Sequence, residues 1–210
     1  MTNGRWKAPR IWPDSTVYII GGGESLNKEK DLPLIHDKRV IGCNDAFLLG
    51  DWVDVCWFGD NRWWEWNREK LRDFGGLKVC CCSGLKNRID LKLLSRNGNK
   101  SEGIGENPYY VSWNRSTGAS AINLAYHFGA KKIVLLGFDM KRVEGKDNWH
   151  DNHKIKHTKT TPPYNRYLQA FIAISKDAKT LGVEIINCSM DSAITQFDKV
   201  SLEEVLSGKR

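Results

Sequence analysis

The chain of 210 residues is long enough for one α/β domain with a full core, or for a domain that carries an insertion. No stretch approaches the roughly 20 apolar residues of a membrane span, and Met1–Pro13 lacks the apolar core of a signal peptide. We therefore expect a soluble, cytoplasmic protein without a membrane span. The net charge of +7 and the pI of about 9.1 favour anionic partners such as nucleotides, nucleic acids or acidic glycans.

In the first part of the chain, β-forming runs alternate with helical patterns, and turn-forming residues bound each run. Alternation of this kind is typical of a parallel sheet with helices packed on its faces. The sequence predicts strands at Thr16–Ile20, Arg39–Cys43, Val53–Phe58 and Leu77–Cys82, and helices at Asp31–His36 and Asn61–Phe74.

The pattern weakens between Ser83 and Asn107, where glycine and asparagine indicate a surface loop, and order returns at Tyr109–Trp113. Residues 141–161 are polar and rich in lysine and histidine, without periodicity, so we interpret them as a lid or acceptor-side insertion. The remaining elements are a small-residue helix at Ser116–Phe128, a strand at Lys132–Leu136, an amphipathic helix at Tyr164–Leu181, a strand at Val183–Asn187 and a short helix capped by Ser201.

Together these elements predict an α/β fold in which residues 1–210 form a single Rossmann-like domain. We expect a mostly parallel central sheet with helices on both faces and a polar lid insertion at 141–161. Most of the nine tryptophans should pack in the core, although tryptophans beside basic residues could also stack bases or sugars. The run Cys80-Cys81-Cys82 cannot present three thiolates to one metal while extended, so we expect buried, reduced thiols.

Three glycines and a serine follow the first predicted strand, in the order Gly21-Gly22-Gly23-Glu24-Ser25. This order places backbone N–H groups at the end of a strand, where a phosphate can approach closely. Only the first two glycines fit G-x-G-x-x-G, because Leu26 holds the third position, and the Gly-Lys-Ser/Thr ending of a P-loop is lacking. A tight structural turn is the alternative interpretation. The candidate residues of this loop are Gly21, Gly22, Gly23 and Ser25.

Further polar residues follow other predicted strands, and ligands of open parallel sheets bind beyond the carboxyl ends of the strands. Asn44 and Asp45 follow the second strand. Asp139, after the strand that precedes it, could bind ribose, a metal or an acceptor hydroxyl, or only cap the next loop. The start of the small-residue helix offers N–H groups and a guanidinium that could hold an anion. Its residues are Arg115, Ser116, Thr117 and Gly118.

The predicted lid contains three histidines, His150, His153 and His157. Histidine titrates near neutral pH and can accept a proton from an attacking hydroxyl, so one of them is a candidate general base. Their spacing fits no standard zinc site, and we predict no metal site from them. Solvated loop histidines without a catalytic role are the alternative.

As a set, these motifs resemble bacterial sialyltransferases that use a CMP-activated sugar. The resemblance begins with Gly-Gly-Gly-Glu-Ser-Leu, Cys43-Asn44 and Arg115-Ser116-Thr117-Gly118, continues through Ala125–Asp139, and closes with Ile186–Ser189 and Ser192-Ala193. It covers most of the chain except the first dozen residues and the insertions. The same features are similar to the motility-associated flagellin glycosyltransferases and the archaeal hydroxymethylpterin diphosphokinase-like proteins.

The resemblance implies a nucleotide-sugar-dependent glycosyltransferase with a CMP-sugar donor and a metal-independent, inverting transfer to an acceptor hydroxyl. In that family the glycine loop would face the phosphate and ribose of the donor, Asn44 would contact the donor, and residues 116–118 would lie against the nucleotide. Arg115 would be the arginine of the catalytic site, and His157 or His153 would be the base. No cofactor besides the donor is implied.

The chain departs from that family after Asp139, where Met140-Lys141-Arg142 replaces a tyrosine that holds the leaving phosphate. Tyr164 or Tyr167 could take over that role. Three other functions stay open from the sequence: a diphosphokinase-like enzyme with ATP and magnesium held by Asp60 or Asp139, a nucleic-acid-binding protein without catalysis, and an inactive member of the fold.

Overall fold

A computed structural model of the protein describes residues 6–85, 88, 90–150 and 163–208. Its strands are β1 (Thr16–Ile20), β2 (Arg39–Cys43), β3 (Val55–Phe58), β4 (Leu77–Cys80), β5 (Lys92–Leu93), β6 (Ser95–Arg96), β7 (Tyr110–Val111), β8 (Lys132–Leu136), β9 (Glu184–Asn187) and β10 (Asp198–Lys199). Its helices are α1 (Asn61–Arg72), α2 (Thr117–Phe128), α3 (Tyr164–Leu181) and α4 (Leu202–Leu206), with short 3₁₀ helices at Leu32–Ile35, Asn44–Leu49 and Ser83–Leu85.

Eight of these strands form one sheet in the order β10-β9-β8-β1-β2-β3-β4-β5, and each neighbouring pair is parallel. From β1 the chain moves outward to β5 on one side, and from β8 it moves outward to β10 on the other. The switch between these directions lies at β1 and β8, and in open parallel sheets the crevice at such a switch is the usual ligand site. The predicted Rossmann-like, mostly parallel sheet is confirmed.

Helices cover both faces of the sheet, as predicted. Ile122 of α2 and Phe171 of α3 share a core cluster with Ile19 of β1. Trp63 of α1 shares the opposite cluster with Ile20, together with residues of α4. Successive strand residues point to opposite faces, so a strand buried on both faces must be apolar throughout.

Local signals in the sequence set the ends of the helices beside the site. The carboxylate of Asp60 accepts a hydrogen bond from the backbone N–H of Arg62 and caps α1, and Ser116 caps α2 through the N–H of Ala119. At its other end α2 stops at Gly129, whose φ of 102° lies in the left-handed region that favours glycine. The start of α2 is thereby held at the carboxyl edge of the sheet.

The sequence predicted that most of the nine tryptophans pack in the core. Three of them are buried there, and five more are partly buried and pack against it: Trp6, Trp12, Trp52, Trp113 and Trp149. Trp57, Trp63 and Trp64 are each at most 5% exposed. Five of the six cysteines are buried, and Cys188 is partly exposed. The buried tryptophans and cysteines stabilise the core by packing. Because they have almost no contact with solvent, they cannot stack on a ligand.

The longer elements match their predicted bounds closely, whereas the shortest ones were not predicted. β1, β2, β8 and α3 have the predicted limits, while β3 begins two residues later than expected and β4 ends two residues earlier. The strands β5, β6, β7 and β10 have two residues each, which is too few to carry a periodic pattern. Their positions depend on contacts with distant segments.

The loop after β1 packs directly on the turn after β8. A Cβ atom at Gly21 would lie 2.5 Å from the carbonyl oxygen of Gly137, and one at Gly23 would lie 2.7 Å from both that oxygen and the carboxylate of Asp139. Real Cβ atoms do not approach other atoms so closely, so glycine is required here by packing between two neighbouring strand ends. The expectation of a tight structural turn is therefore correct, whatever else the loop does.

Replacing Gly21 by alanine should lower the free energy of unfolding by about 1–3 kcal/mol, because the new methyl group overpacks a buried contact with backbone. Chemical denaturation measures this change. The matched control is Gly75→Ala, where nothing lies within 4 Å of the new Cβ and the stability should stay unchanged or rise by up to about 1 kcal/mol. Equal effects of the two substitutions would contradict this account of the loop.

Candidate functional site

Most backbone N–H groups of the glycine loop are already used within the protein. The N–H of Gly21 donates to Leu136 O at 2.8 Å, and that of Gly23 donates to Gly137 O at 2.8 Å. Among the described residues, the N–H groups of Gly22 and Glu24 have no acceptor. The last residue of β8 and the turn after it therefore accept from alternate amides of the loop, and the two amides left over are the ones able to meet an anion.

The carboxylate of Asp139 holds the far end of this loop. It accepts hydrogen bonds from the backbone N–H of Ser25 at 2.9 Å and from the Ser25 hydroxyl, and its side chain is almost fully buried. The Oγ atoms of Ser25 and Ser189 lie 2.8 Å apart, and Ser189 Oγ accepts from Phe138 N. Asp139 therefore holds the loop after β1, a role different from the cap of its own following loop that the sequence suggested, and its binding of a ligand stays a prediction.

Two buried acceptor atoms at the carboxyl ends of β1 and β2 have no hydrogen-bond partner among the described residues. They are Oε2 of Glu24 and Oδ1 of Asn44. Asn44 also has a φ of 51°, in the left-handed region. A buried polar atom without a partner costs about 1–3 kcal/mol, and strained backbone at a strand end is typical of ligand sites. Both observations indicate a site for hydrogen-bond donors of a ligand.

The first part of the predicted lid, residues 141–150, lies across the glycine loop. The backbone N–H of Trp149 donates to Gly22 O at 3.0 Å, and its indole N–H donates to Gly21 O at 3.0 Å. Lys146 forms an ion pair with Glu24 at 3.0 Å. The loop is therefore enclosed on one side by strand ends and on the other by this segment. The rest of the lid, with His153 and His157, lies outside the described residues.

His150 meets the end of β2 at the other side of the same segment. Its Nδ1 lies 3.7 Å from Oδ2 of Asp45, and Oδ1 of Asp45 accepts a hydrogen bond from the indole of Trp63 at 2.5 Å. Both the histidine and the carboxylate are almost fully buried. This arrangement fixes the segment to β2 and places a titratable pair one residue from Asn44.

At the third side of the crevice, α2 begins beside the turn after β8. A Cβ atom at Gly118 would lie 3.1 Å from one edge of the Phe138 ring. A Cβ atom at Gly21 would lie 3.0 Å from the opposite edge of the same ring. One aromatic ring thus separates the glycine loop from the start of α2. Among the described residues, the N–H groups of Thr117 and Gly118 have no acceptor, since the Ser116 cap serves Ala119. These amides and the helix dipole favour an anion.

Arg115 precedes this helix start and is held by two side chains. Its Nη2 lies 2.5 Å from Oε1 of Glu102, and its Nη1 donates to Oε1 of Gln169 at 3.1 Å. The φ values of Asn114 and Arg115 are 54° and 62°, which is uncommon for residues other than glycine. The guanidinium is therefore oriented by the protein but stays about one-third exposed.

Tyr164 is the residue that the sequence suggested for holding a leaving phosphate. It lies at the start of α3, and its side chain contacts the 141–150 segment that covers the glycine loop. Its hydroxyl donates to Oδ1 of Asp147 at 2.8 Å, and Asp147 also pairs with Arg142 at 2.9 Å. Burial, followed by the hydrogen bond to Asp147, raises the pKa of Tyr164. Tyr167 is partly buried on the same helix, and burial raises its pKa.

Within residues 6–85, 88, 90–150 and 163–208 there is no group of three or more His, Cys, Asp or Glu side chains that could hold a metal ion. Asp60 and Asp139 follow β3 and β8, which are three strand spacings of about 4.8 Å apart, too far to share one ion. No helix in this part of the chain is long and apolar enough to cross a membrane.

The sequence identified the strand ends correctly, but it missed several residues of the site. Glu24 was passed over within the glycine loop, and Glu102 and Gln169, which hold Arg115, carried no signal. His150 was one of three candidate bases in the predicted lid, but nothing in the sequence predicted its contact with Asp45 or that Trp149 lies on the glycines. These contacts join positions more than a hundred residues apart in the chain.

Comparison with known proteins adds evidence at the level of fold. The sequence matches no family profile and no curated protein. The structure resembles the MAf glycosyltransferase of Magnetospirillum magneticum AMB-1, with a TM-score of 0.63 and 15% identity over 100% of this chain and 40% of that one. The chain thus spans less than half the length of that protein.

Two proteins of Campylobacter jejuni are similar as well. The sialyltransferase CstII, solved with cytidine-5′-monophosphate, has a TM-score of 0.57 and 17% identity over 90% of this chain and 86% of its own. The monofunctional alpha-2,3-sialyltransferase Cst-I has a TM-score of 0.61 and 16% identity over 90% and 81%. The predicted resemblance to sialyltransferase-like glycosyltransferases is confirmed as a shared fold, and the diphosphokinase-like resemblance stays a prediction.

Two asparagines with the same backbone conformation should respond oppositely to replacement by glycine. Asn44→Gly removes an unpartnered buried oxygen and relaxes a left-handed residue, so the free energy of unfolding should stay within about 1 kcal/mol of its original value or rise. Asn114 has a φ of 54°, but its side chain makes hydrogen bonds at 2.7, 2.9 and 3.0 Å to Gly103 and Ser112. Asn114→Gly should therefore cost at least about 2 kcal/mol.

Urea denaturation of both variants measures this difference. A large loss of stability in Asn44→Gly would show that Asn44 serves the fold and would remove the argument that its oxygen awaits a ligand.

Proposed function

We propose that the protein is a nucleotide-sugar-dependent glycosyltransferase that uses a CMP-sugar and transfers the sugar with inversion to an acceptor hydroxyl. The observation that carries the proposal is Asn44, whose buried amide oxygen has no partner among the described residues and whose backbone is left-handed. A donor group of a ligand at this strand end would satisfy that oxygen. The solved structures of CstII include complexes with CMP, with CMP-3FNeuAc, and with CMP and a trisaccharide acceptor.

In this proposal the donor lies over the carboxyl ends of β8, β1 and β2. The Gly21–Gly23 loop lets the nucleotide approach the backbone, and Asn44 and Glu24 accept hydrogen bonds from the ribose or the base. Asp139 and Ser25 shape the loop, since their polar groups are bonded to each other. Ser116 and the open amides of Thr117 and Gly118 would lie near the phosphate.

Charge on the leaving group is the chemical problem that the site must solve. The acceptor oxygen attacks the anomeric carbon of the donor sugar, and the bond from that carbon to the phosphate oxygen breaks. CMP leaves with the electron pair, and the acceptor proton passes to a base. Arg115 and the start of α2 would stabilise the phosphate without reorganising water.

The base in this proposal is His157 or His153, both outside the described residues. A positioned general base of this type contributes roughly 10²–10⁴-fold. Tyr164 would assist at the phosphate only if its hydroxyl exchanged Asp147 for the ligand. The proposal requires no metal, and comparing ligand binding with and without magnesium tests this directly. Cytoplasmic location and binding of nucleic acid stay predictions.

Thermal unfolding should be measured with CMP, UDP, GDP, ATP and the corresponding nucleotide sugars. We expect only CMP and CMP-sugars to stabilise the folded protein. A ligand at about 100 times its dissociation constant stabilises the folded state by about 2.7 kcal/mol. The stabilisation should be equal with and without magnesium. A flat panel would favour the nucleic-acid or inactive alternatives, and selective binding of ATP that requires magnesium would favour the diphosphokinase-like enzyme.

Arg115→Gln should lower kcat/KM for transfer from a CMP-sugar by roughly 100-fold or more, because a charged donor to the leaving phosphate is lost. The matched control is Arg10→Gln, which removes an exposed arginine paired with Asp14 near the opposite end of α2. Transfer measured by release of CMP should be unchanged in that control. An equal rate in both variants would contradict the role given to Arg115.

A further inference from the structure

A separate cavity of about 880 Å³ opens at the carboxyl ends of β3 and β4. This volume is within the range of small-molecule sites. Its polar lining includes Asp60, Arg62 and Arg96, with Trp113 at its wall. Because β3 pairs with β2, the end of β3 that lines the cavity is next to the end of β2, which Asn44 follows. Trp113, at the wall of the cavity, is two residues before Arg115 in the chain.

Arg96 is held in a fixed orientation inside this cavity. Its Nε donates to the carbonyl oxygen of Cys81 at 3.0 Å, and its guanidinium stacks on the ring of Trp113 with 4.0 Å between the guanidinium carbon and the ring centroid. Among the described residues, its two terminal nitrogens have no hydrogen-bond partner. A guanidinium that is already oriented loses little further entropy when it binds a carboxylate or phosphate.

The wall that carries Arg96 is itself closely packed. A Cβ atom at Gly59 would lie 2.1 Å from the ring of Trp113, so the indole reaches into space that only a glycine leaves open. The backbone N–H of Trp113 donates to Oδ1 of Asn97 at 3.1 Å. The stacking partner of Arg96 is therefore fixed between β3 and the loop before β7.

The charged residues that line the cavity are Asp60, Arg62 and Arg96. The carboxylate of Asp60 accepts from the backbone N–H of Arg62 at 2.8 Å and pairs with its guanidinium at 3.2 Å. Burial acts to raise the pKa of Asp60, but the hydrogen bonds from Arg62 and the charges of Arg62 and Arg96 outweigh it and lower that pKa. Two guanidiniums and one carboxylate leave one positive charge among the lining residues, and the N-terminal end of α1 adds to it.

We propose that this cavity is the acceptor subsite of the transferase and that its acceptor is an acidic sugar, carrying a carboxylate or a phosphate. The inference rests on the proposed function, since it assigns the second substrate of that reaction. Arg96 binds the anionic group through its terminal nitrogens, and Arg62 shifts between Asp60 and the ligand. The sugar ring occupies the remaining volume beside Trp113, and its hydroxyl faces the donor across β2 and β3.

Calorimetric titration of the wild-type protein with glucuronic acid, glucose 6-phosphate, glucose and inorganic phosphate tests this inference. The charged sugars should bind at least tenfold more tightly than glucose, and the stronger of the two identifies the anionic group. Arg96→Gln should weaken the binding of charged sugars by roughly tenfold or more. The matched control is Arg68→Gln, on the outer face of α1, where Arg68 pairs with Glu65, and its binding should equal that of the wild type.

A separate titration with CMP keeps the two proposals distinguishable. If CMP fails to bind the wild type, the proposed function is wrong. If CMP binds wild type and Arg96→Gln equally, but charged sugars bind no better than glucose or are unaffected by Arg96→Gln, the acceptor inference is overturned. Inorganic phosphate that binds as tightly as glucose 6-phosphate would overturn the assignment to a sugar.

Discussion

The close contact between the glycine loop after β1 and the turn after β8 is the constraint on which the candidate site depends. Gly21 and Gly23 leave no room for a side chain against Gly137, and Asp139 closes the contact by binding Ser25. Because alternate amides are consumed in this packing, only the N–H groups of Gly22 and Glu24 in this loop have no acceptor among the described residues. The same contact places Phe138 between the loop and the start of α2.

At the carboxyl ends of β1 and β2, two buried side-chain oxygens have no hydrogen-bond partner among the described residues, whereas some other buried amides of the fold are fully hydrogen-bonded. Asn114 and Asn123 have their side-chain amides fully engaged with the loop between β5 and α2, whereas the amide oxygen of Asn44 is buried without a partner among the described residues. Such a contrast within one fold is expected where a ligand completes the hydrogen bonding. The terminal nitrogens of Arg96, which have no hydrogen-bond partner among the described residues, extend this pattern to the cavity beyond β3.

The sequence predicted the sheet and the strand ends because those depend on local periodicity. Val17–Ile20 and Ile133–Leu136 are apolar runs ended by glycine, and polar residues after such runs must meet at one edge of a parallel sheet. The pairing of Glu24 with Lys146 and of Asp45 with His150 could not be predicted in this way. Both depend on the path of residues 141–150, which have no periodic pattern and join segments distant in the chain.

The most direct test of the account is to titrate isotope-labelled protein with CMP and follow the backbone amide resonances. The account predicts saturable shifts at Gly22 and Glu24, at Asn44 and at Gly118, which belong to three separate stretches of the sequence, and no shift at Gly75, far from the carboxyl edge. Shifts confined to the cavity around Arg96, or spread evenly over the basic surface, would contradict the claim that these strand ends form one nucleotide site.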